Sequence, residues 1–480
     1  MAMDAGMMMG RGMAVMAGWL AISGCGDDGA GPDTAGAATD AATSNVGEEE
    51  SSGEGADGTE GAPAARPNWH EDIAPLVARS CEGCHSDGSI APFPLQNYEQ
   101  TSPLGAAIML QVEAGLMPPW HAVETDECQP PASFKHDARL SDEEIQLLRD
   151  WVDAGTPEGD PALAAPIPEP PSQDLVDPTV TVTMEGSLSI EPQDNVLDFF
   201  HCLSFDPGND QDVYVNGMQV VPGNRSIAHH TLIYVDVAGE SAAWENGQSF
   251  DCGGGAGEID EALLIGGWVP GSLPIETPSD VGILLPAGAR IVYNMHYHAS
   301  VTGPESDDST GIALRWTETP PEYVSQFQLI GAPAAGDVMT DPFMIPAGAS
   351  GHEEIVEYEV PDIGLADVRV WSVLNHMHRV GVDMKTSVMR GNEETCLLQT
   401  PGWDFDWQRF YEYDVEIGDT FRVQSGDVVR VHCSYDNTLD NPAVVAALAE
   451  VGLDEPQDVF LGEGTLDEMC LTGVGVAYRF

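Results

Sequence analysis

Over residues 172–480 no helical period persists, and this constrains the fold more than any other feature of the chain. Short runs rich in β-branched and aromatic residues alternate there with turns built from Gly, Pro, Asp and Asn. The spacing is typical of antiparallel β-sandwiches. Roughly 300 residues is large for one sandwich and comfortable for two.

Within these runs stand four candidate metal sites. Asn375-His376-Met377-His378-Arg379 ends a run that favours a strand, and residues two apart on a strand share a face. His376 and His378 would then project to one side, where two neutral imidazoles chelate a single ion. The plainer reading is a half-buried pair satisfied by backbone. His229-His230 is adjacent in sequence, so the two can share a metal only at a bulge or a strand end. His296 and His298 share a face in Asn294-Met295-His296-Tyr297-His298. Asp467-Glu468-Met469-Cys470 offers one thioether. Soft sulfur beside imidazole favours copper cycling between Cu(I) and Cu(II) over zinc.

Ahead of the sandwiches, residues 67–165 carry a different signature. Cys81-Glu82-Gly83-Cys84-His85 has the spacing of a c-type haem attachment site: two thiols add to the haem vinyl groups and His85 meets the iron. Met117, in a proline-fixed loop, is the favoured second axial ligand; His121 and His136 compete. Ser141 and Glu144 form a capping box before a helix whose apolar face is Ile145, Leu148, Trp151 and Val152, with Gly155 as its stop. The unit resembles a class I cytochrome c domain, an all-α fold. Residues 166–175, proline-rich, read as a stiff linker.

At the N-terminus Arg11 precedes an apolar run over residues 13–22, too short to span a bilayer. Ile22-Ser23-Gly24-Cys25 resembles a bacterial lipoprotein box. In that resemblance residues 1–25 are a signal peptide and Cys25 is lipidated. Gly26 after it favours the outer membrane, so the chain is expected to be periplasmic or at the cell surface, touching membrane only through its lipid. Residues 26–66 lack large apolar side chains and read as a disordered acidic tether. The chain holds 17 Lys+Arg against 79 Asp+Glu, a formal net charge of −62. Such a surface repels nucleic acid and anionic lipid.

Taken in order, the sandwich motifs resemble the copper type II, ascorbate-dependent monooxygenases. The resemblance covers about residues 176–480 and rests on several stretches. These are His229-His230, Val292-Tyr293-Asn294-Met295-His296-Tyr297, His376-Met377-His378, Cys433-Ser434-Tyr435-Asp436-Asn437, and the segment from Gly462 through Met469 to Cys470. Bacterial members fused to a cytochrome c are closer, sharing His-Met-His and the Trp403-Asp404-Phe405-Asp406-Trp407-Gln408 run. The resemblance implies two tandem jelly-roll sandwiches, residues 176–320 and 321–480, each with one copper. His229, His230 and His296 would hold the electron-transfer copper, and His376, His378 and Met469 the oxygen-activating, catalytic one. The implied reaction hydroxylates a C–H bond of a small-molecule substrate with O2. Ascorbate or the haem supplies electrons, and the haem is expected to serve the first copper after recharging by an upstream donor. His298 is expected to be supporting or structural, or to replace His296. His201, His352 and His432 read as satisfied strand histidines.

The family pairs Cys433 with Cys470. Cys128, Cys202, Cys252 and Cys396 then allow three pairings, with Cys202–Cys252 preferred. Leu374 stands where peptidylglycine enzymes carry a carboxylate-gripping arginine. Leu471 and Gly473 replace their asparagine and tyrosine, which argues against peptide amidation. Two alternatives remain: an exported copper/haem electron-transfer protein without hydroxylase activity, and a binding protein with metal-free sandwiches.

Overall fold

The computed structural model describes residues 66–479, apart from 88–90, 169–171, 173, 192–197, 250–251, 253–254, 270–271, 301–302, 333–342, 363 and 463–465. The expected signal peptide, Cys25 and nearly all of the acidic tether lie outside the described residues. Most regular structure is β-sheet, with helices concentrated before residue 165.

The helical unit opens with Trp69–Ile73 running into Ala74–Ser80, and closes with Asp142–Asp153. The Ser141 hydroxyl accepts the Glu144 N–H while the Glu144 carboxylate accepts the Ser141 N–H, the reciprocal cap that sequence predicts. Gly155 ends the helix with φ of 81°, a left-handed conformation that glycine adopts without penalty. Trp69, Ile73, Leu76, Leu148 and Trp151 fill the space between these helices.

Two β-sandwiches follow. In the first, a five-stranded sheet contains, side by side, Asp198–Phe205, Arg290–His298 and Ala228–Asp236. It faces a sheet containing Val213–Val221 and Gly311–Thr317 across a core of Leu203, Val213, Ile233, Tyr293 and Leu314. In the second, Cys470–Arg479 runs between Tyr323–Ala332 and Ala366–His376, facing the four-stranded sheet that contains Val428–Asp436 and Gly381–Arg390. Burial alternates residue by residue along Val428–Asp436, as a strand with one face on a core requires. A short parallel pairing of Tyr323 and Val324 with Val281 and Gly282 makes one sheet continuous through both sandwiches.

Disulfides join Cys433 to Cys470, Cys202 to Cys252 and Cys128 to Cys396, so the preferred pairing is the one found. The last ties the segment after the first helices to the second sandwich. Three disulfides point to an oxidising compartment outside the cytoplasm. Among the described residues no helix is long and apolar enough to cross a membrane.

The same segment adds side chains to the second core. Trp120, Ala122 and Phe134 pack with Tyr411 and Tyr413, and Lys135 meets the partly buried Glu412 at 3.3 Å. Burial pushes the Glu412 carboxyl up to about 7, against the pull of Lys135. An acid whose folded pKa is raised contributes stability below its unfolded value, and that contribution is lost as pH rises through the folded value. Wild-type stability relative to Glu412→Gln should therefore decline between about pH 4.5 and 7. Melting temperatures of both proteins across this range check it; a constant difference would contradict it.

Candidate metal centres

Adjacent residues on a regular strand point to opposite faces, so His229 and His230 converge only through an irregularity. The strand Ala228–Asp236 supplies one. His230 lies opposite His296, while the next residue, Tyr297, pairs with Ala228, leaving His229 as the extra residue of a β-bulge. The bulge turns His229 toward its neighbour. One ligand atom from each of His229, His230 and His296 lies within 4.8 Å of the others. The Nδ1 atoms of His229 and His230 are 2.9 Å apart, and those of His230 and His296 are 3.3 Å apart. Lone pairs converging at these distances repel unless protons or a cation lie between them. Burial, reinforced by the neighbouring imidazoles, pushes His230 well below the ordinary histidine range, so it is neutral near pH 7 and able to ligate. His298 stays outside this cluster, its N–H donating to Ile227 O at 2.8 Å.

The second pair stands at the end of the strand Ala366–His376. The rings of His376 and His378 lie 5.2 Å apart, while Met377 turns into the core. Each Nδ1–H has a carbonyl acceptor: Gln408 Oε1 at 2.5 Å for His376, and Asp467 O at 3.1 Å for His378. Gln408 is oriented in turn by its amide, which donates to Phe405 O at 2.9 Å. These bonds place the proton on Nδ1 and leave Nε2 as the lone-pair nitrogen. Both Nε2 atoms are buried without a hydrogen-bond partner. Burial lowers His376 to about 3 and His378 to about 4, so both are neutral donors at any ordinary pH.

Met469 is buried beside this pair's supports. Glu468, with no exposed surface, accepts backbone N–H bonds from His378, from Val380 at 3.2 Å and from Met469 at 2.8 Å. Burial pushes its carboxyl up to about 8, against those donors. The Tyr435 hydroxyl donates to Met469 O at 2.8 Å. Met469 and Leu471 share a cluster with Leu232, Tyr234 and Val292 of the first sandwich.

Other histidines fall elsewhere. His352 contacts Glu354 at 2.8 Å and His432 approaches Glu353 at 3.7 Å. His201 is pushed down to about 4 by burial, its ring edge-on to Tyr297. Cys81 and Cys84 are unpaired, and burial pushes Cys81 up to about 12. His85 Nδ1 lies 3.0 Å from Phe93 O, which directs Nε2 outward from that bond. Met117 is half-buried in the loop before Trp120.

Sequence reasoning missed two groups that govern the second centre. Glu468 was read only as part of its motif, and Gln408 only as part of a tryptophan-bearing run. That run wraps the site: Trp403 Nε1–H donates to His378 O at 3.0 Å, and Phe405 lies edge-on to the His378 ring.

Two β-sandwiches carrying convergent, buried imidazoles define the class, and comparison with known proteins narrows it. Residues 335–474 match the family model for the copper type II ascorbate-dependent monooxygenase C-terminal domain. "DBH-like monooxygenase protein 2" of Mus musculus is 23% identical over 317 residues, 62% of this chain and 46% of that protein. The chain thus spans about half the length of the curated relative it matches. Both matches are similarities to copper monooxygenase proteins. Among solved structures, allantoicase is 11% identical, covers 49% of this chain and 77% of that chain, and has a TM-score of 0.15. The infectious bursal disease virus Gx strain structure is 9% identical, with 65% and 75% coverage and a TM-score of 0.16. Scores this low carry no argument about the fold.

Replacing Glu468 with Gln sets an amide N–H against backbone N–H donors. Above about pH 8, where Glu468 is ionised, Glu468→Gln should destabilise the protein by about 1–3 kcal/mol. Chemical denaturation checks this, and an unchanged midpoint would show that the carboxylate is not needed there.

Proposed function

We propose that the protein is an exported copper monooxygenase, hydroxylating a C–H bond of a small organic substrate with O2. His229, His230 and His296 hold an electron-transfer copper. His376, His378 and Met469 hold the copper where oxygen is activated. The carrying observation is the pair of buried, neutral, unpartnered Nε2 atoms on His376 and His378, beside a second imidazole cluster. A desolvated nitrogen lone pair without a donor is costly in a folded core, and a metal ion removes that cost.

Copper suits both donor sets. Three imidazoles serve a metal that only changes oxidation state, whereas two imidazoles with a weak thioether favour Cu(I) and leave a coordination position open. Bound copper would supply one-electron cycling and oxygen activation; substrate, O2, two electrons and two protons give alcohol and water. The chain's own residues orient the ligands. Gln408 and Asp467 O fix the tautomers, and Glu468 joins the His378 turn to the Met469 strand.

Residues 67–165 are read as a cytochrome c domain, with haem joined to Cys81 and Cys84 and held axially by His85 and Met117. Electrons come through this haem or from ascorbate. Residues 1–25 are read as a signal peptide and residues 26–66 as a tether, with Cys25 lipidated at the outer membrane. Two copper domains follow, residues 176–320 and 321–480. Leu374 lies opposite Gly473 in register, and a side chain on Gly473 would meet Phe410 and Leu374. None of these three residues can grip a carboxylate, which favours a substrate uncharged at that point.

Metal analysis of protein matured in a haem-attaching periplasm tests the reading. Copper to iron should be about two, falling to about one in His376→Ala. A ratio near zero after copper reconstitution would defeat it. Met469→Ile should lose hydroxylation while the three-histidine copper still accepts an electron; turnover in that variant would mean the oxygen site is elsewhere.

A further inference from the structure

The segment linking the helix Gly105–Glu113 to the helix Asp142–Asp153 lies on the second sandwich, not free in solvent. Phe134 bridges to Tyr413 in β-fashion, the Lys135 N–H donates to Glu412 O at 2.8 Å, and the Asp414 N–H returns to Ser133 O at 2.8 Å. The Val123 N–H donates to Gln399 O at 3.2 Å, and His121 Nδ1 meets Gly402 O at 2.6 Å. The Cys128–Cys396 disulfide locks this contact covalently. Trp120 packs edge-on to Tyr411 at 5.2 Å, and Phe134 stacks on Tyr413 at 5.1 Å. A hydrogen-bonded, apolar and disulfide-closed contact of this kind holds its partners in one geometry.

One short stretch of the second sandwich meets both sides of this contact. Arg409 places its guanidinium 5.5 Å from the centre of the Trp120 ring. Trp120 follows Met117 by three residues. Arg409 also lies near enough to Cys84 for its charge to oppose the rise that burial imposes on that thiol. The preceding residue, Gln408, bonds His376 Nδ1. Residues flanking the expected haem and a ligand of the expected second copper are therefore bridged by two consecutive residues.

We propose that Arg409 and Gln408 form the route by which haem electrons reach the His376/His378/Met469 centre directly, rather than by way of the three-histidine centre. The inference rests on the haem and copper assignments made above, and it revises the expectation that the haem serves the first copper. The step balances simply. Ferrous haem iron loses one electron and becomes ferric, Cu(II) gains it and becomes Cu(I), and no bond forms or breaks. An external one-electron donor reduces the haem again. Arg409 and Gln408 are joined covalently, and Gln408 is joined to the His376 imidazole by a hydrogen bond.

The test is flash reduction of the haem by a ruthenium photoreductant in full-length, haem- and copper-loaded protein without oxygen. Haem absorbance reports loss of the electron, and electron paramagnetic resonance of frozen samples reports which Cu(II) signal disappears. The expected result is that His296→Ala keeps rapid haem reoxidation and His376→Ala loses it. Gln408→Leu and Arg409→Ala should slow it with haem and both copper signals retained. Reoxidation that survives His376→Ala and is lost in His296→Ala would overturn the proposal. Unchanged rates in Gln408→Leu and Arg409→Ala, with both metals in place, would overturn the route. Protein without haem absorbance or copper signals fails before any flash is given; that result refutes the underlying assignments and this inference with them.

Discussion

Glu468 is a carboxylate with no exposed surface, and its partners are backbone N–H groups of His378, Val380 and Met469. Burying a carboxylate costs several kcal/mol unless donors replace its water. Here the donors come from two pieces of chain about 90 residues apart, the turn after one strand and the start of another. Forming these bonds therefore requires the His376/His378 turn and the Met469 segment to be in register. The Cys433–Cys470 disulfide and the Tyr435 hydroxyl fix the same segment from the opposite sheet. Placement of the proposed ligands is thus over-determined by the protein's own bonds, and such a frame can hold a weak thioether donor in position.

The arrangement of the sandwiches extends that frame. Met469 and Leu471 bury their side chains against Leu232, Tyr234 and Val292 of the first sandwich, and the parallel pairing at Val281 and Gly282 fixes the sheets edge to edge. Metal ions bound in the two proposed sets would each favour the lower charge on the other. Acidic residues outnumber basic ones by 79 to 17 across the chain, a background that offsets this accumulation of positive charge.

Much of this was legible in sequence because it depends on local chemistry. The Ser141–Glu144 cap, the facing pair His376 and His378, and the need for a bulge at His229 follow from helix and strand geometry alone. The structure supplied what depends on long-range register. The bulge is seen only when Arg290–His298 is paired against Ala228–Asp236. Gln408 is 32 residues from His376, and nothing in its neighbourhood marks it as a hydrogen-bond partner. Cys128–Cys396 spans 268 residues and joins separate units, a pairing that spacing cannot select. Glu468 looked like one more acid in an acidic chain, and only burial distinguishes it.

For the proposed hydroxylation, selectivity would follow from the same physical terms. Leu374, two residues before His376, shares its strand face, and Gly473 lies opposite Leu374 across the sheet. A side chain on Gly473 would meet both Leu374 and Phe410 within about 3.4 Å, so the glycine leaves these apolar groups the space they occupy. An anionic substrate would meet no cation at these positions, and would first have to approach a strongly negative surface. Attraction is missing at short range and repulsion acts at long range. Together they discriminate against carboxylates more strongly than either does alone.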